Sequence, residues 1–282
     1  MTFLALIVGV IFYYLWSTDN PVQQDGWYTR WQRTVQGSGL SGGLAVLLVL
    51  LGPVLLVVWV LSALESILFG LFWIGAAAVL LIYSFGRGDY NTFVAKYQHF
   101  AKSGNLEAAY LSLKDSLPWL QGDEPPASQL ELHASVRGAL SYEGYQRWFP
   151  VVFYFVIAGP AGALAYRLLH LLDNIDPRLK QRCLHVADWL PTRLTVATFA
   201  VAGDFSGSRA ELVASMGDLD RPSADILTAV GRAANGAPDP DESAPPETQA
   251  LEMADDVVSL DALMSRSVGV WLVVISLFEL LS

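Results

Sequence analysis

The chain has little cysteine and little charge, and each shortage excludes a class of protein. Cys183 is the single cysteine among 282 residues, so the chain forms no internal disulfide and no CxxC zinc or iron–sulfur site. We expect an ordinary, half-buried thiol at this position. Charged residues make up 16% of the sequence, whereas a soluble domain carries about 25%. The low charge argues against a soluble globular protein.

Long apolar runs take the place of the missing charge. The sequence is 53% hydrophobic, with a mean hydropathy of +0.40. The run Leu40–Tyr83 contains one charged residue, Glu65. As one straight helix it would reach about 66 Å, roughly twice the hydrocarbon core of a bilayer. We therefore predict a helical hairpin that reverses near residues 62–66. Further apolar runs cover Phe149–Tyr166, Ser267–Ser282 and the shorter Thr2–Trp16.

These runs predict an all-α, polytopic integral membrane protein with four to six membrane-embedded helices and helical soluble inserts. The N-terminal run lacks a basic n-region and a small-residue cleavage site, which favours an uncleaved anchor over a signal peptide. The predicted segments are an anchor helix at 1–16, a polar loop at 17–39, a transmembrane hairpin at 40–83, a helical soluble insert at 85–147, a Gly-rich span with a polar segment at 148–203, an acidic helical region at 204–266 with a linker at 235–250, and a C-terminal transmembrane helix at 267–282.

The acidic charge is concentrated in one region. The formal net charge is −10, and residues 204–266 contain thirteen Asp or Glu against four Lys or Arg. This excess disfavours nucleic acid as a partner. Arg87, Lys96 and Lys102 follow the hairpin and favour a cytoplasmic location for the insert.

The segment Cys183–Thr195 is the first candidate site. On a helix, His185, Asp188 and Trp189 share one face, at positions i, i+3 and i+4. Pro191 is expected to end or kink that helix, which leaves Arg193 just beyond the break. This arrangement has two interpretations: a site that orients a phosphate or carboxylate, or a structural corner in which Asp188 caps the next helix and pairs with Arg193.

Three further positions are weaker candidates. The turn that contains Arg87 predicts that Asp89 caps the following helix, with a phosphate at the helix N-terminus as the alternative; no GxxxxGKS/T phosphate loop is present. Residues 158–163, AGPAGA, predict a packing hinge inside a span. His170 and Asp173 stand at i and i+3, but two ligands do not define a metal site. We predict no metal and no cofactor.

Two blocks of sequence carry a family resemblance. FPVVFYFVIAGPAGALAYRLLHLLDN (Phe149–Asn174) and CLHVADWLPTRLT (Cys183–Thr195) resemble the AmpE/CobD-CbiB family of bacterial inner-membrane proteins. The phrase SGNLEAA at 103–109 and the N-terminal anchor followed by a hairpin agree with it. The resemblance covers most of the chain before the acidic region, and it implies a multi-pass protein of the bacterial inner membrane.

One branch of this family is adenosylcobinamide-phosphate synthase, which joins cobyrate to an aminopropanol phosphate with ATP and magnesium. Members of this branch carry a motif similar to Glu-Asn-x-x-Asp-Gly before the Gly-rich span. They carry Asp-Asp where this chain has Leu184-His185. Carboxylates of this kind hold the magnesium that bridges phosphates. Glu143, Asp173 and Asp188 remain here, but most of the branch's acids are replaced, which implies loss of the synthase activity. The stretch before the span has Tyr142, Glu143, Gln146 and Arg147.

The other branch is AmpE, whose motif is similar to Leu-His-Val-x-Asp-Trp-x-Pro-x-Arg-Leu. Its members are regulatory signalling modulators of the inner membrane, linked to β-lactamase induction, antibiotic resistance and cell-wall recycling, and associated with the amidase AmpD. The resemblance therefore implies a non-enzymatic modulator. The alternative is a divergent CobD/CbiB-like membrane enzyme, or a nucleotide- or phosphate-binding protein, that retains part of the synthase pocket. A transporter-like or scaffolding role is a weaker third interpretation.

The predicted partners are the lipid bilayer, a second copy of the chain through the small-residue span, and signalling or cell-wall recycling proteins. The predicted ligand-binding residues are Arg87, Asp89, Glu143, His170, Asp173, His185, Asp188, Trp189 and Arg193.

Overall fold

The computed structural model describes residues 1–15, 22–117, 120, 126, 128–173, 175–236 and 245–281. Within these ranges every regular element is a helix, which confirms the all-α class. Residues 237–244 of the linker predicted at 235–250, Trp16 of the predicted anchor and Ser282 of the predicted C-terminal helix lie outside the described residues. The helices in chain order are α1 (Thr2–Leu15), α2 (Gly26–Gly37), α3 (Gly42–Leu64), a 3₁₀ turn (Ile67–Gly70), α4 (Leu71–Ser84), α5 (Tyr90–Lys102), α6 (Leu106–Lys114), α7 (Gln129–Gln146), α8 (Phe149–His170), α9 (Pro177–Ala202), α10 (Phe205–Gly217), α11 (Ser223–Asn235) and α12 (Pro246–Leu281).

The chain divides into two compact units. The first comprises Met1–Gly88 and Gln146–Pro191, and the second comprises Asp89–Tyr145 and Thr192–Ser282. Among the described residues, three helical stretches are long and apolar enough to cross a membrane, namely Gly42–Leu64, Gln129–His170 and Glu247–Leu281. Two shorter apolar helices are Thr2–Tyr13 and Leu71–Ser84. These lengths and compositions indicate a polytopic membrane protein.

In the first unit, the apolar run at 40–83 folds as α3 and α4. The chain reverses at Ile67–Gly70, a few residues after the turn predicted at 62–66. Phe69 and Gly70 have φ angles of 58° and 80°, and two successive left-handed residues redirect the chain between the helices.

Helix α1 lies beside α4 and runs in the same direction. Gly9 permits the close approach, because a Cβ built on it would lie 2.8 Å from Cδ2 of Leu81. At the other end of α1, the ring of Tyr13 packs on Phe85 with 4.6 Å between centroids.

Residues 26–37, predicted as part of a polar loop, form helix α2, so that prediction was wrong. Tyr28, Gln32 and Val35 are buried at positions i, i+4 and i+7, which is a helical spacing. Tyr28 and Val35 enter a cluster with residues of α3 and α8. The side chain of Gln32 donates to the carbonyl oxygen of Leu171 (3.0 Å) and accepts from the backbone N–H of Asp173 (2.8 Å). The helix was missed in the sequence because one of its buried positions, Gln32, is polar.

Helix α8 is two half-helices that fold back on one another, which departs from the single span predicted at 149–166. Gly159 breaks the helix with φ 70° and ψ −166°, and Pro160 follows it. The rings of Tyr154 and Tyr166 stack with centroids 5.6 Å apart, although twelve residues of straight helix would separate them by about 18 Å. A Cβ built on Gly162 would lie 2.6 Å from the carbonyl oxygen of Tyr154. We call residues 149–158 and 160–170 α8a and α8b.

Both ends of this folded helix lie near the polar end of α4. At the start of α8a, the backbone N–H of Gly86 donates to the carbonyl oxygen of Arg147 (3.1 Å), and Trp148 stacks on Phe85 with centroids 6.0 Å apart. At the end of α8b, Leu171 bonds to Gln32 of α2. A single crossing would place these ends on opposite sides of the unit, so α8 enters and leaves on the same side.

In the second unit, a buried polar network joins several helices. Asp256 of α12 accepts from Nε of Arg137 (2.5 Å), and its Oδ2 lies 3.0 Å from Nε2 of His133. Nδ1 of His133 lies 2.7 Å from the hydroxyl of Tyr97, and Arg137 also donates to the carbonyl oxygen of Thr228 (3.1 Å). The side chain of Arg137 is 1% exposed. The carboxylate of Asp256 therefore balances a guanidinium that is out of contact with water.

Replacement of Gly162 by Ala tests the fold-back of α8. We expect Gly162→Ala to lower the free energy of unfolding by about 1–3 kcal/mol, because the added methyl group meets a backbone oxygen that cannot rotate away. Thermal unfolding in lipid nanodiscs measures the change. Gly75→Ala in α4 is the matched control, since nothing lies within 4 Å of a Cβ built there. Equal stability of the two variants would contradict the folded-back geometry.

Replacement of Asp256 by Asn tests the buried network. We expect Asp256→Asn to destabilise the protein by about 3–5 kcal/mol, because it leaves the buried charge of Arg137 uncompensated. The adjacent Asp255 is exposed, so Asp255→Asn is a control of the same chemistry one residue away. Chemical denaturation followed by tryptophan fluorescence compares the two, and similar midpoints would contradict the role of Asp256.

Candidate functional site

The best-defined polar site of the first unit lies where α8 meets α9. The hydroxyl of Tyr166 donates to Oδ1 of Asp188 (2.7 Å), and Nε2 of His170 lies 2.9 Å from the same hydroxyl. Because Tyr166 gives its proton to the carboxylate, its oxygen accepts from His170, which therefore carries its proton on Nε2. Asp188 is only 2% exposed. His170, Tyr166 and Asp188 form one directed chain of hydrogen bonds.

A second contact, beside this chain, follows from Pro191. This proline lies inside α9, which continues unbroken from Pro177 to Ala202. A proline inside a helix has no N–H to offer the carbonyl four residues before it, which is that of Ala187. The hydroxyl of Tyr154 donates to that carbonyl oxygen at 2.8 Å. The side chain from α8a supplies the hydrogen bond that the proline removes.

The predicted cap was wrong, because Asp188 lies in the interior of α9 and does not cap a helix that begins at Trp189. Pro191 was expected to end or kink the helix, and it does not end it. Proline is tolerated there because Tyr154 satisfies the freed carbonyl. His185 and Trp189 are half-buried residues of the same helix.

Arg87 has a structural partner in the first unit. Its Nε donates to Oδ2 of Asp25 (3.0 Å) and its Nη2 to Oδ1 (2.5 Å), a two-pronged ion pair. Nη1 donates to the carbonyl oxygens of Tyr83 and Phe85 at the end of α4. Arg87 thus connects the residue just before α2 to the end of α4. Its partner, Asp25, was not identified from the sequence because residues 17–39 were predicted to be a loop.

This ion pair determines the protonation of Asp25. Burial raises the pKa of the carboxyl, but the hydrogen bonds and positive charge of Arg87, with the hydroxyl of Tyr83, outweigh burial and hold the pKa below its usual range. Asp25 lies in the segment before α2, outside the apolar helices. The carboxylate is therefore ionised at neutral pH.

Asp173 and Lys180 line a small cavity between the end of α8 and the start of α9. Its volume is about 150 Å³, and its lining includes Leu172 and Asp176. Burial lowers the pKa of Lys180, and the negative charge of Asp173 opposes that shift. The residue Asp173 is exposed, and its backbone N–H donates a hydrogen bond to the side-chain oxygen of Gln32.

The other predicted site residues, Asp89, Glu143 and Arg193, belong to the second unit. Asp89 caps α5, as predicted, by accepting from the N–H of Asn91 (3.0 Å) and the hydroxyl of Thr92 (3.2 Å). Glu143 is buried on α7. Arg193 is buried and donates to the carbonyl oxygen of Asp218.

In the ranges that the structure describes, no three His, Cys, Asp or Glu side chains are grouped as a metal site would require.

Sequence reasoning missed Tyr154 and Tyr166, which make the contacts to α9. Pro191 was a usable signal, because a proline in a helix identifies the carbonyl that needs a new donor. Which side chain supplies the donor depends on the reversal at Gly159, and neighbouring residues in the sequence do not reveal it.

The fold and the site define an α-helical membrane protein in which a folded-back helix is hydrogen-bonded to a proline-containing helix. The chain belongs to the AmpE family: the family model described as regulatory signalling modulator protein AmpE matches residues 1–275. No curated protein and no solved structure shows significant similarity to the chain. The match extends through the acidic region, which the resemblance of the two sequence blocks did not cover.

Acid titration tests the pair of Asp25 and Arg87. The pKa of Asp25 is lower in the folded protein than in the unfolded chain, so the pair's contribution is fully present above the unfolded pKa of about 4. It is lost as the pH falls through the lower, folded pKa. We expect Asp25→Asn to destabilise the protein at neutral pH by about 1–3 kcal/mol and to remove this part of the acid dependence.

Thermal unfolding in nanodiscs, measured from neutral pH to about pH 3, follows this titration across the unfolded pKa of about 4. The exposed Asp220 provides a control, Asp220→Asn, that should leave the pH dependence unchanged. An acid dependence that is the same in Asp25→Asn as in the unaltered protein would rule out the assigned role.

Proposed function

We propose that the protein is a signalling modulator of the bacterial inner membrane that acts in β-lactamase induction and cell-wall recycling. The family match over residues 1–275 supports the modulator role. The apolar helices support a membrane location. Its partners in this proposal are proteins of that signalling or recycling pathway.

The observation that carries the mechanism is the attachment of α8 to α9. A modulator needs an element with two arrangements that a ligand or partner can bias. Helix α8 has a hinge at Gly159–Pro160, and Tyr154 and Tyr166 attach its two halves to α9. A change at this contact alters how α8a and α8b pack together. Asp188 receives the hydrogen bond from α8b, so it is the central residue of the proposed signal.

We propose that this role does not include the synthase reaction. Most of the acids expected to hold magnesium and nucleotide in the synthase branch are replaced. Asp188, one that remains, accepts a hydrogen bond from Tyr166 within the first unit. The runner-up proposal, a divergent CobD/CbiB-like enzyme or phosphate-ligand-binding protein, uses the remaining acids to bind a nucleotide or phosphate compound.

Two variants test the signalling role. Tyr166→Phe removes the hydroxyl that bonds to Asp188 and His170 while it preserves the ring. Asp188→Asn preserves the shape of the acceptor while it removes the charge. In cells, we expect both to change β-lactamase induction by several-fold at unchanged membrane abundance, since a charged hydrogen bond contributes about 1.5–3 kcal/mol. A β-lactamase reporter and quantitative membrane blotting measure the two quantities.

The exposed Asp255 again supplies the control, and Asp255→Asn should leave induction unchanged. Unchanged induction in both site variants would contradict the signalling role. Purified protein in nanodiscs should show no magnesium-dependent turnover of ATP. Turnover that Asp188→Asn abolishes would instead establish the enzymatic alternative.

A further inference from the structure

We propose that the tip of the α3–α4 hairpin, residues 67–72, is immersed in the acyl chains of the distal leaflet and does not emerge into water. The proposal concerns the first unit alone and does not depend on the signalling role. It identifies lipid as the partner of the most exposed apolar surface of this unit.

The first unit has a polar end that sets its depth. At this end the ion pair of Asp25 and Arg87 joins the start of α2 to the exit of α4. Trp27 lies beside Tyr83 there, with ring centroids 6.1 Å apart. Arginine and tryptophan at one level are typical of the boundary between headgroups and acyl chains. We take this level as the proximal membrane surface.

The tip lies at the opposite end of the same helices. Tyr13 of α1 packs on Phe85 at the polar end, whereas the side chain of Met1 lies against Gly70 at the tip, with its Cε 2.6 Å from a Cβ built there. Helices α1 and α4 therefore connect the two ends directly. Each contains 14 residues, which at 1.5 Å per residue is a length of about 21 Å.

This length is shorter than the membrane. The hydrocarbon core of a bilayer is about 30 Å thick, so the tip ends several ångströms before the distal headgroups.

The surface of the tip suits lipid. Phe69 is 99% exposed, and Leu71 and Phe72 are 67% and 52% exposed. Residues 67–72 contain no charged side chain, and the nearest one, Glu65, lies before the turn at the end of α3. This surface continues into the exposed face of α3, where Leu55 and Trp59 are 62% and 68% exposed. The exposed apolar surface is continuous from α3 around the tip. A surface of this kind is expected to contact one apolar environment along its length, here the lipid acyl chains.

Spin labels in reconstituted bilayers test this depth. Single cysteines replace Phe69 or Leu71 at the tip and Ser38, an exposed residue between α2 and α3 at the polar end, in a Cys183→Ser background. Collisions with oxygen, which concentrates in acyl chains, and with a water-soluble nickel chelate are then measured by power saturation. Two tip positions are used so that a folding defect in one variant leaves the other as the test.

Labels at 69 and 71 should collide frequently with oxygen and rarely with the nickel chelate. The label at 38 should collide frequently with the nickel chelate. Nickel accessibility at the tip equal to that at 38 would show that the tip emerges into water. Protection from both reagents would show that protein, such as a second copy of the chain, covers the tip. Either of these results would overturn the proposal.

Discussion

The first unit depends on one constraint: a backbone carbonyl that loses its helical partner in an apolar environment must receive another hydrogen-bond donor. Pro53 of α3 and Pro191 of α9 each remove such a partner. The freed carbonyls are those four residues earlier, at Val49 and Ala187. Trp31 donates to the first at 3.3 Å and Tyr154 to the second at 2.8 Å. Each proline therefore specifies where another helix must pack.

Helix ends obey the same rule. The end of α4 leaves carbonyls without helical partners, and Arg87 and Gln23 donate to those of Tyr83 and Ile82. The end of α8 is satisfied in the same way by Gln32. Gln23 and Gln32 come from residues 22–37, a stretch that is more polar than the helices it contacts. Its polar side chains hold the membrane helices together by satisfying their ends.

The folded-back α8 follows from this constraint and connects it to function. A single crossing at 149–166 would leave Tyr154 and Tyr166 about 18 Å apart along the helix. The reversal at Gly159 instead brings both to adjacent residues of α9, Ala187 and Asp188. Because Gly159 provides the hinge, the two hydroxyl groups set how each half of α8 meets α9. The proposed signalling role depends on this contact.

Local features were predictable where neighbouring residues determine them. The cap at Asp89 depends on a bond to the N–H group two residues ahead, and low charge with long apolar runs indicated membrane helices. Arg87, Asp188 and Pro191 were identified as important, but their roles were not. Asp25 and Tyr166, the partners of Arg87 and Asp188, lie 62 and 22 residues away in the sequence.

The class of the protein follows from its residues alone, because hydrophobicity and helical spacing depend on which residues are present and in what order. The motifs at 149–174 and 183–195 also indicated its family. Three features became evident only in the folded chain: α2 is a helix packed on α3 and α8, α8 turns back at Gly159, and Asp188 accepts a hydrogen bond from a tyrosine. Those outcomes depend on which distant donor reaches which unsatisfied acceptor, and this is settled only when the helices pack.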